Sequence, residues 1–468
     1  MRPLSLLLLG ATLLGGCLVG PNYERPATPE HAAYRQDTTL SDSARADIPP
    51  VESVADLEWW ELFQDSVLQD LIATALENNK DLQVALARIE EARAAVGFSR
   101  ADLYPFVDGV AGGTVEGNTE DDKLTASGVL AGTVFWEADL FGRIRRSNEA
   151  ALNEYLATEQ AYRSVTITLV AQVAELYLVL RDLDNRLAIS EATVEARRGS
   201  AEIIRVRFEA GMVSEVDVNQ AEIQLSEAEA AVESFMRTRA QTENAISVLL
   251  GQPPMDIERG VALQDQVFPP DLPAGLPSEL LERRPDVLVA ERQLASQTAR
   301  IGAAEAIKYP SLTMSADMGA SFASITTGFL SLGANLLAPL FNAGKNQRRV
   351  EIEVARTRQL LHGYEQAVLN AFREVEDAMV AVNRYQAEYD HRRRQVDAAE
   401  SAAELSWIRY QGGWTSYLEV LDVQRSLFSA QLQASATLQL RHTSMVQLYK
   451  ALGGGWTPVE IVDEEPAP

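Results

Sequence analysis

Few residues in this 468-residue chain are equipped for chemistry. Four histidines and a single cysteine, Cys17, leave little for metal or thiol sites. Trp136-Glu137-Ala-Asp139 offers paired carboxylates, the residue types of general acid–base work. They close a strand pattern with no histidine nearby in sequence, so ion pairing and capping are their expected roles. No glycine-rich phosphate loop occurs. A net charge of −26, from 41 Lys and Arg against 67 Asp and Glu, argues against nucleic acid as a partner, because a phosphate footprint needs basic clusters. An enzyme is therefore not expected, nor is a metal or any other bound cofactor.

Cys17 is the informative thiol. It follows Arg2 and the apolar run Leu4 to Leu14, so residues 1–16 look like a signal peptide. Leu14-Gly-Gly-Cys17 resembles a bacterial lipobox, in which the cysteine becomes the lipidated first residue of the mature chain. Leu18 stands where lipoproteins kept in the inner membrane usually carry Asp, which favours the outer membrane of a Gram-negative cell. No later stretch is expected to supply the ~20 apolar residues of a spanning helix.

Two tips organise the remainder. Arg409-Tyr410-Gln-Gly412-Gly413-Trp-Thr-Ser416 interrupts a helical pattern, and Arg207-Phe-Glu-Ala-Gly211-Met-Val-Ser214 does the same at an offset of 202. Gly211, Gly412 and Gly413 supply the backbone freedom of the turns. Ser416, with Glu419 three residues on, reads as a capping box restarting the helix. The repeat extends well beyond the tips. Tyr104-Pro105 matches Tyr309-Pro310 at 205, Leu140-Phe141 matches Leu340-Phe341 at 200, and Leu250-Gly251 matches Leu452-Gly453 at 202.

In order, 1–16 is the leader and 17–65 an extended segment rich in Pro, Asp and Ala. The first repeat, 66–251, opens with one helix from Ser66 to about Ala101. A β-hairpin at about 104–138 follows, with its second strand at Leu124 to Trp136, then a long helical hairpin with its tip at about 209–214. Residues 252–277 form a proline-rich link. The second repeat, 278–453, has its β-hairpin at about 309–339 and its tip at about 411–416, and 454–468 is a tail. The long helices carry coiled-coil seams: Val165, Leu169, Val173, Leu176, Leu180, Leu183 and Leu187 in the first, and Val354, Leu361, Val368, Val375, Val382 and Tyr389 in the second. About 65 residues at 1.5 Å each make a rod of roughly 100 Å.

The second hairpin alternates plainly. Leu312, Met314, Ala316 and Met318 interleave with Ser311, Thr313, Ser315 and Asp317, and Leu330, Leu332 and Leu336 with Ser331, Gly333 and Asn335. Such strands suit a tilted membrane barrel, since little else in the chain could cover an apolar sheet face. Four strands cannot close a barrel, and open edges are not tolerated in lipid, so closure must come from other copies. Two copies give eight strands with a filled interior; three give twelve and leave a lumen.

The chain resembles the outer membrane factors, the outer-membrane efflux and secretion channels, and most closely their lipoprotein branch. Cys17 with Val19-Gly-Pro-Asn-Tyr-Glu-Arg-Pro26, Trp136 to Arg143, Arg283-Arg-Pro-Asp286, Tyr309-Pro310, Phe341-Asn-Ala-Gly344, Arg409 to Leu427 and Leu448 to Trp456 carry this resemblance, in family order. It implies an α+β membrane protein: a homotrimer with a 12-stranded transmembrane β-barrel continuous with a 12-helix periplasmic α-barrel, and an equatorial belt. The implied function is an outer-membrane exit duct for drugs or other small toxic compounds, docked to an inner-membrane pump through a periplasmic adaptor. A duct for one-step protein secretion, and less directly a periplasmic adaptor, are the alternatives. By the same resemblance Leu418 and Asp422 line the periplasmic gate, and Tyr410 and Asp217 form a latch, the phenol donating to the carboxylate. Thr415 stands where some relatives have arginine, so that tie is not expected here.

Overall fold

The computed structural model describes residues 18–27, 59–118, 123–268, 277–322 and 326–454. Cys17, the leader, most of 17–65, part of the proline-rich link and the tail from 455 lie outside them. Helices α1 (Trp59–Leu62), α2 (Ser66–Asn78) and α3 (Lys80–Ala101) precede strands β1 (Phe106–Asn118) and β2 (Lys123–Ala138). Helices α4 (Arg143–Glu209) and α5 (Glu215–Leu249) make the first helical hairpin. After the link come α6 (Pro277–Arg283), α7 (Pro285–Ala306), β3 (Ser311–Phe322), β4 (Thr326–Leu337), α8 (Lys345–Gln411) and α9 (Tyr417–Ala451). The repeat is one of length as well as of sequence: α4 and α8 have 67 residues each, and α5 and α9 have 35.

Two compact units emerge, each drawing on both repeats. One comprises the described residues within Met1–Pro29, Ala85–Tyr162 and Asp286–Val368. Its centre is an antiparallel sheet in the order β1-β2-β3-β4, so the repeats meet at β2 and β3. Because side chains alternate across a strand, the register sorts every residue onto one of two faces. Trp136 stands opposite Met314, which stands opposite Ala334; Leu130 opposite Ala320; Met318 opposite Leu330. This face is apolar in all four strands, and it is bare, with Leu332 at 79% and Met318 at 69% exposure. The other face carries the row Asp108–Thr133–Asp317–Ser331. Both unpaired edges, β1 and β4, are free in the chain.

The same unit grips the peptide just after Cys17. The buried Arg146 donates from Nε to the Val19 carbonyl (3.2 Å) and from Nη2 to the Gly20 carbonyl (3.2 Å) and Asn22 Oδ1 (2.8 Å). Gly302 leaves room for that side chain, since a Cβ there would lie 2.8 Å from Arg146 Nε.

The second unit holds the described residues within Glu30–Val84, Arg163–Pro285 and Leu369–Pro468. Here both helical seams point inward, Val173, Leu180 and Val375 being fully buried. One 18-residue window of α4 reaches a mean hydropathy of 1.4, long and apolar enough to cross a membrane, which corrects the expectation that no helix would be. Buried Leu169, Val173, Ala174, Tyr177, Leu178 and Leu180 account for it: they form core between helices.

A second correction concerns the helix expected to run unbroken from Ser66 to Ala101. It breaks at Asn79, whose backbone is extended (φ −60°, ψ 131°). Asn79 Oδ1 accepts from Leu82 N (3.0 Å), and Nδ2 donates to the Leu249 carbonyl (2.9 Å) at the end of α5. One side chain thus caps one helix start and one helix end. The second repeat breaks at the matching Arg284, which donates from Nη1 to the Ala451 carbonyl (3.0 Å) and from Nη2 to Glu374 (2.6 Å).

The proline-rich link is stitched down. Asp65, 1% exposed, accepts on Oδ2 from the Tyr177 hydroxyl (2.9 Å), Val261 N (3.0 Å) and Gln266 Nε2 (2.8 Å), and on Oδ1 from Val67 N (3.0 Å) and Leu68 N (3.4 Å). His442 is buried 3.1 Å from the Leu263 carbonyl and stacks on Phe268; burial lowers its pKa to about 4, so it is neutral and donates from Nε2.

Candidate functional site

Each helical tip is built by the same backbone closure. Met212 N donates to the Arg207 carbonyl (2.8 Å) and Gly211 N to that of Phe208 (2.8 Å); Trp414 N and Gly413 N repeat this to Arg409 (2.9 Å) and Tyr410 (3.0 Å). These are Schellman motifs, and they require a left-handed residue, supplied by Gly211 (φ 72°) and Gly413 (φ 76°). Gly412 serves a different need: a Cβ there would lie 2.7 Å from Trp414 Cδ1.

The restarts differ between repeats. Ser214 and Asp217 form a full capping box, with Ser214 N donating to Asp217 Oδ2 (2.9 Å) and Asp217 N to Ser214 Oγ (3.4 Å). The box expected at Ser416 and Glu419 is not made. Ser416 occupies the N-cap without a side-chain bond, because Glu419 is held by the Thr415 hydroxyl and by Arg409 (3.6 Å).

Behind the tips lies a core of Ala201, Ile204, Ala221, Tyr410, Tyr417, Val420 and Leu421, flanked by Val213, Val218 and Trp407. Tyr410 is its hub. Its ring meets Tyr417 at 5.3 Å and Trp407 at 5.8 Å, and the Arg207 guanidinium lies 4.8 Å above it. Burial, with Tyr410 and Asp217 nearby, pushes the Tyr417 phenol up to about 12.

This arrangement does not join the two residues expected to form the latch. Asp217 spends its carboxylate on its own helix start, taking Ser214 N and Oγ (2.9 Å each), while the Tyr410 hydroxyl is buried without a hydrogen-bond partner. The aromatic-cationic stack of Arg207, Trp407, Tyr410 and Tyr417 does the joining. Its one signal in sequence was that Arg207 and Arg409 recur at the same place in both tips. Tyr410→Phe keeps the ring and removes only an unsatisfied hydroxyl, so the thermal midpoint should hold or rise. Tyr410→Ala should cost ~3 kcal/mol or more. A Tyr410→Phe midpoint as low as that of Tyr410→Ala would restore the hydroxyl to the latch.

The expected gate residues are on the surface of the chain. Leu418, in the first turn of α9, is 56% exposed. Asp422, one turn on, is 75% exposed in its side chain, with Arg425 at 3.7 Å.

Glu137 and Asp139 both have structural partners. Arg143 engages Glu137 through two bonds (3.1 and 2.8 Å), and Asp139 caps α4 at Ile144 N (3.2 Å) and Arg145 N (2.9 Å). They nevertheless line an open cavity of ≈ 380 Å³, a feature that nothing in the sequence pointed to. Among the described residues no group of three or more His, Cys, Asp or Glu could hold a metal.

The described residues thus combine an amphipathic sheet with a bare apolar face and long helical hairpins with built tips, the features of a protein placed in a membrane. The chain belongs to the outer membrane efflux protein family, whose model matches residues 71–252 and 276–454. It is 36% identical to the toluene efflux pump outer membrane protein TtgC of Pseudomonas putida, over 97% of this chain and 96% of that one. It is 32% identical to the cation efflux system protein CusC of Escherichia coli, over 97% and 100%. Among solved structures, the open state of the Neisseria gonorrhoeae MtrE outer membrane channel superposes with a TM-score of 0.84 at 30% identity, covering 94% of this chain and 98% of that one.

Proposed function

We propose that three copies of this chain form the outer-membrane exit duct of a tripartite efflux system, passing drugs or other small toxic compounds from an inner-membrane pump and periplasmic adaptor to the exterior without catalysis. The observation that carries this reading is the apolar sheet face bounded by two open edges, in a chain akin to named efflux proteins. Twelve strands then close a barrel around the polar face, and twelve helices continue it across the periplasm. The segments 17–65, 252–277 and 454–468 wrap it as a belt; the bonds of Asp65 to Val261 and Gln266 support this. Met212, 72% exposed, and Trp414, 81% exposed, leave apolar side chains bare at the tips, as a docking surface for the adaptor requires.

Leu418 and Asp422 are four residues apart on one helix face, so threefold symmetry makes an apolar ring and, one turn on, a ring of three carboxylates. Crowded like charges attract cations. The reconstituted protein should give unitary conductance steps that divalent cations block, and Asp422→Asn should weaken the block about tenfold. A monomeric native mass with no conductance would overturn the duct; intact block in Asp422→Asn would move the constriction elsewhere.

Cys17 carries the covalent lipid of the mature chain. One lipid anchors only marginally, so the barrel holds the protein and the lipid assists assembly. Intact-mass analysis should find an acylated Cys17 at the mature N-terminus; an unmodified thiol or a different cleavage site counts against it.

A further inference from the structure

Leu18 directly follows Cys17, and the residues behind it are fixed at many points. Besides the Arg146 bonds to Val19, Gly20 and Asn22, Val19 N donates to the Phe141 carbonyl (3.4 Å). The Tyr23 hydroxyl donates to Glu291 (3.3 Å), and Arg25 pairs with the same carboxylate (3.1 Å). The packing is close: a Cβ on Gly142 would lie 2.6 Å from Leu18 Cδ1, and one on Gly20 would lie 2.4 Å from Gly302 Cα. Gly344 precedes α8 as Gly142 precedes α4, with the same φ of 80°, yet a Cβ there would meet nothing within 4 Å. The peptide is thus seated at one junction, that of β2 with α4, and Leu18 rests beside Phe141 and Gly142, just past the end of β2 at Ala138.

Near that end of β2 the apolar face of the sheet is hollowed. A groove of ≈ 470 Å³ is walled by Pro105, Trp136, Met314 and Leu332 and floored by Ala316 and Ala334. All but the proline belong to two neighbouring rows of the face, Trp136–Met314–Ala334 and Val134–Ala316–Leu332. The rows on either side set Leu312 against Leu336 and Met318 against Leu330, so the two alanines make the hollow. One wall is held in place, since the Trp136 indole donates to the Leu103 carbonyl (2.9 Å). The two rows lie roughly 7 and 13 Å along the strand from Ala138. We propose that one acyl chain of the Cys17 lipid lies in this groove, and that the pinned peptide sets its point of entry. This rests on the acylation of Cys17 and names the surface that receives the lipid. A chain tethered at a fixed point beside the groove has an effective concentration there that a free membrane lipid lacks.

The test is photo-cross-linking of the full-length protein in outer membranes. Photo-methionine, a diazirine of nearly the same shape as methionine, replaces Met314 alone or, as the control, Leu124. Leu124 is on the same apolar face and 80% exposed, but it stands about 33 Å further along β2 than Val134. After irradiation and digestion, the peptide of residue 314 should be joined through an acyl chain to the Cys17 peptide at least ~5-fold more often than the peptide of residue 124. The control should carry free membrane lipid instead. Ala334→Phe fills the floor of the groove, so it should divert the adducts at residue 314 to free lipid without changing the yield of assembled protein. Free-lipid adducts alone at residue 314, with an acylated Cys17 in the intact mass, overturn the groove and leave the anchor standing. A Cys17 cross-link that persists undiminished in Ala334→Phe does the same. An unmodified Cys17 overturns both.

Discussion

Leu332→Arg is expected to prevent stable insertion, whereas Ser331→Arg, one residue away, should insert and assemble. Leu332 stands near the middle of β4 on the apolar face and is 79% exposed; Ser331 lies on the face of Asp108, Thr133 and Asp317. An arginine facing lipid at the bilayer midplane costs about 2–4 kcal/mol, and three copies bring the penalty to roughly 6–12 kcal/mol per assembly. On the polar face, turned to the lumen of the proposed barrel, the same charge would stay in water. The measurement is heat-modifiable trimer in isolated outer membranes, compared at matched expression. Equal yields of the two variants would mean that the apolar face does not meet lipid.

The second large effect is expected at a buried carboxylate. Asp65→Ala removes the acceptor of five donors: Val67 N, Leu68 N, the Tyr177 hydroxyl, Val261 N and Gln266 Nε2. Each buried donor left without a partner costs about 1–3 kcal/mol, and the site is sealed, since a Cβ on Gly260 would lie 2.1 Å from Asp65 Oδ1. The loss should exceed ~3 kcal/mol even if some donors find new acceptors. Asp65→Asn should fall between, because its amide nitrogen faces donors where oxygen stood. The unfolding midpoint of the detergent-solubilised protein and the protease sensitivity of the 252–268 link report it together. A midpoint within a degree of the natural protein, with the link still protected, would contradict the assignment.

What the sequence discloses depends on whether a residue's role is local. The β3–β4 hairpin can be read in advance because Leu, Met and Ser differ sharply, so the period of two is visible. The first hairpin is blurred for a physical reason. Its apolar face uses Gly109, Gly113, Gly128 and Gly132, which no hydrophobicity pattern marks, and only the pairing register assigns them a side. Its second strand runs from Lys123 to Ala138, a residue or two beyond the pattern at each end. The tip glycines are equally local, because a Schellman closure needs a left-handed residue and little else. The partners of Tyr410 depend on which groups meet in space, whereas Asp217 has a local role three residues from Ser214. Asn79 and Arg284 perform one task with unlike side chains, so comparing the repeats letter by letter passes over both.

The contrast between the two hairpins also shapes the outer wall. The apolar face of the first sets the glycines Gly109, Gly113, Gly117, Gly128 and Gly132 among Val107, Val115, Leu124, Leu130 and Trp136, while that of the second has Gly328 beside Leu312, Met314, Met318, Leu330, Leu332 and Leu336. In the threefold barrel proposed here those glycines would recur as three shallow dents around the girth, where hydrocarbon tails would settle closer to the backbone.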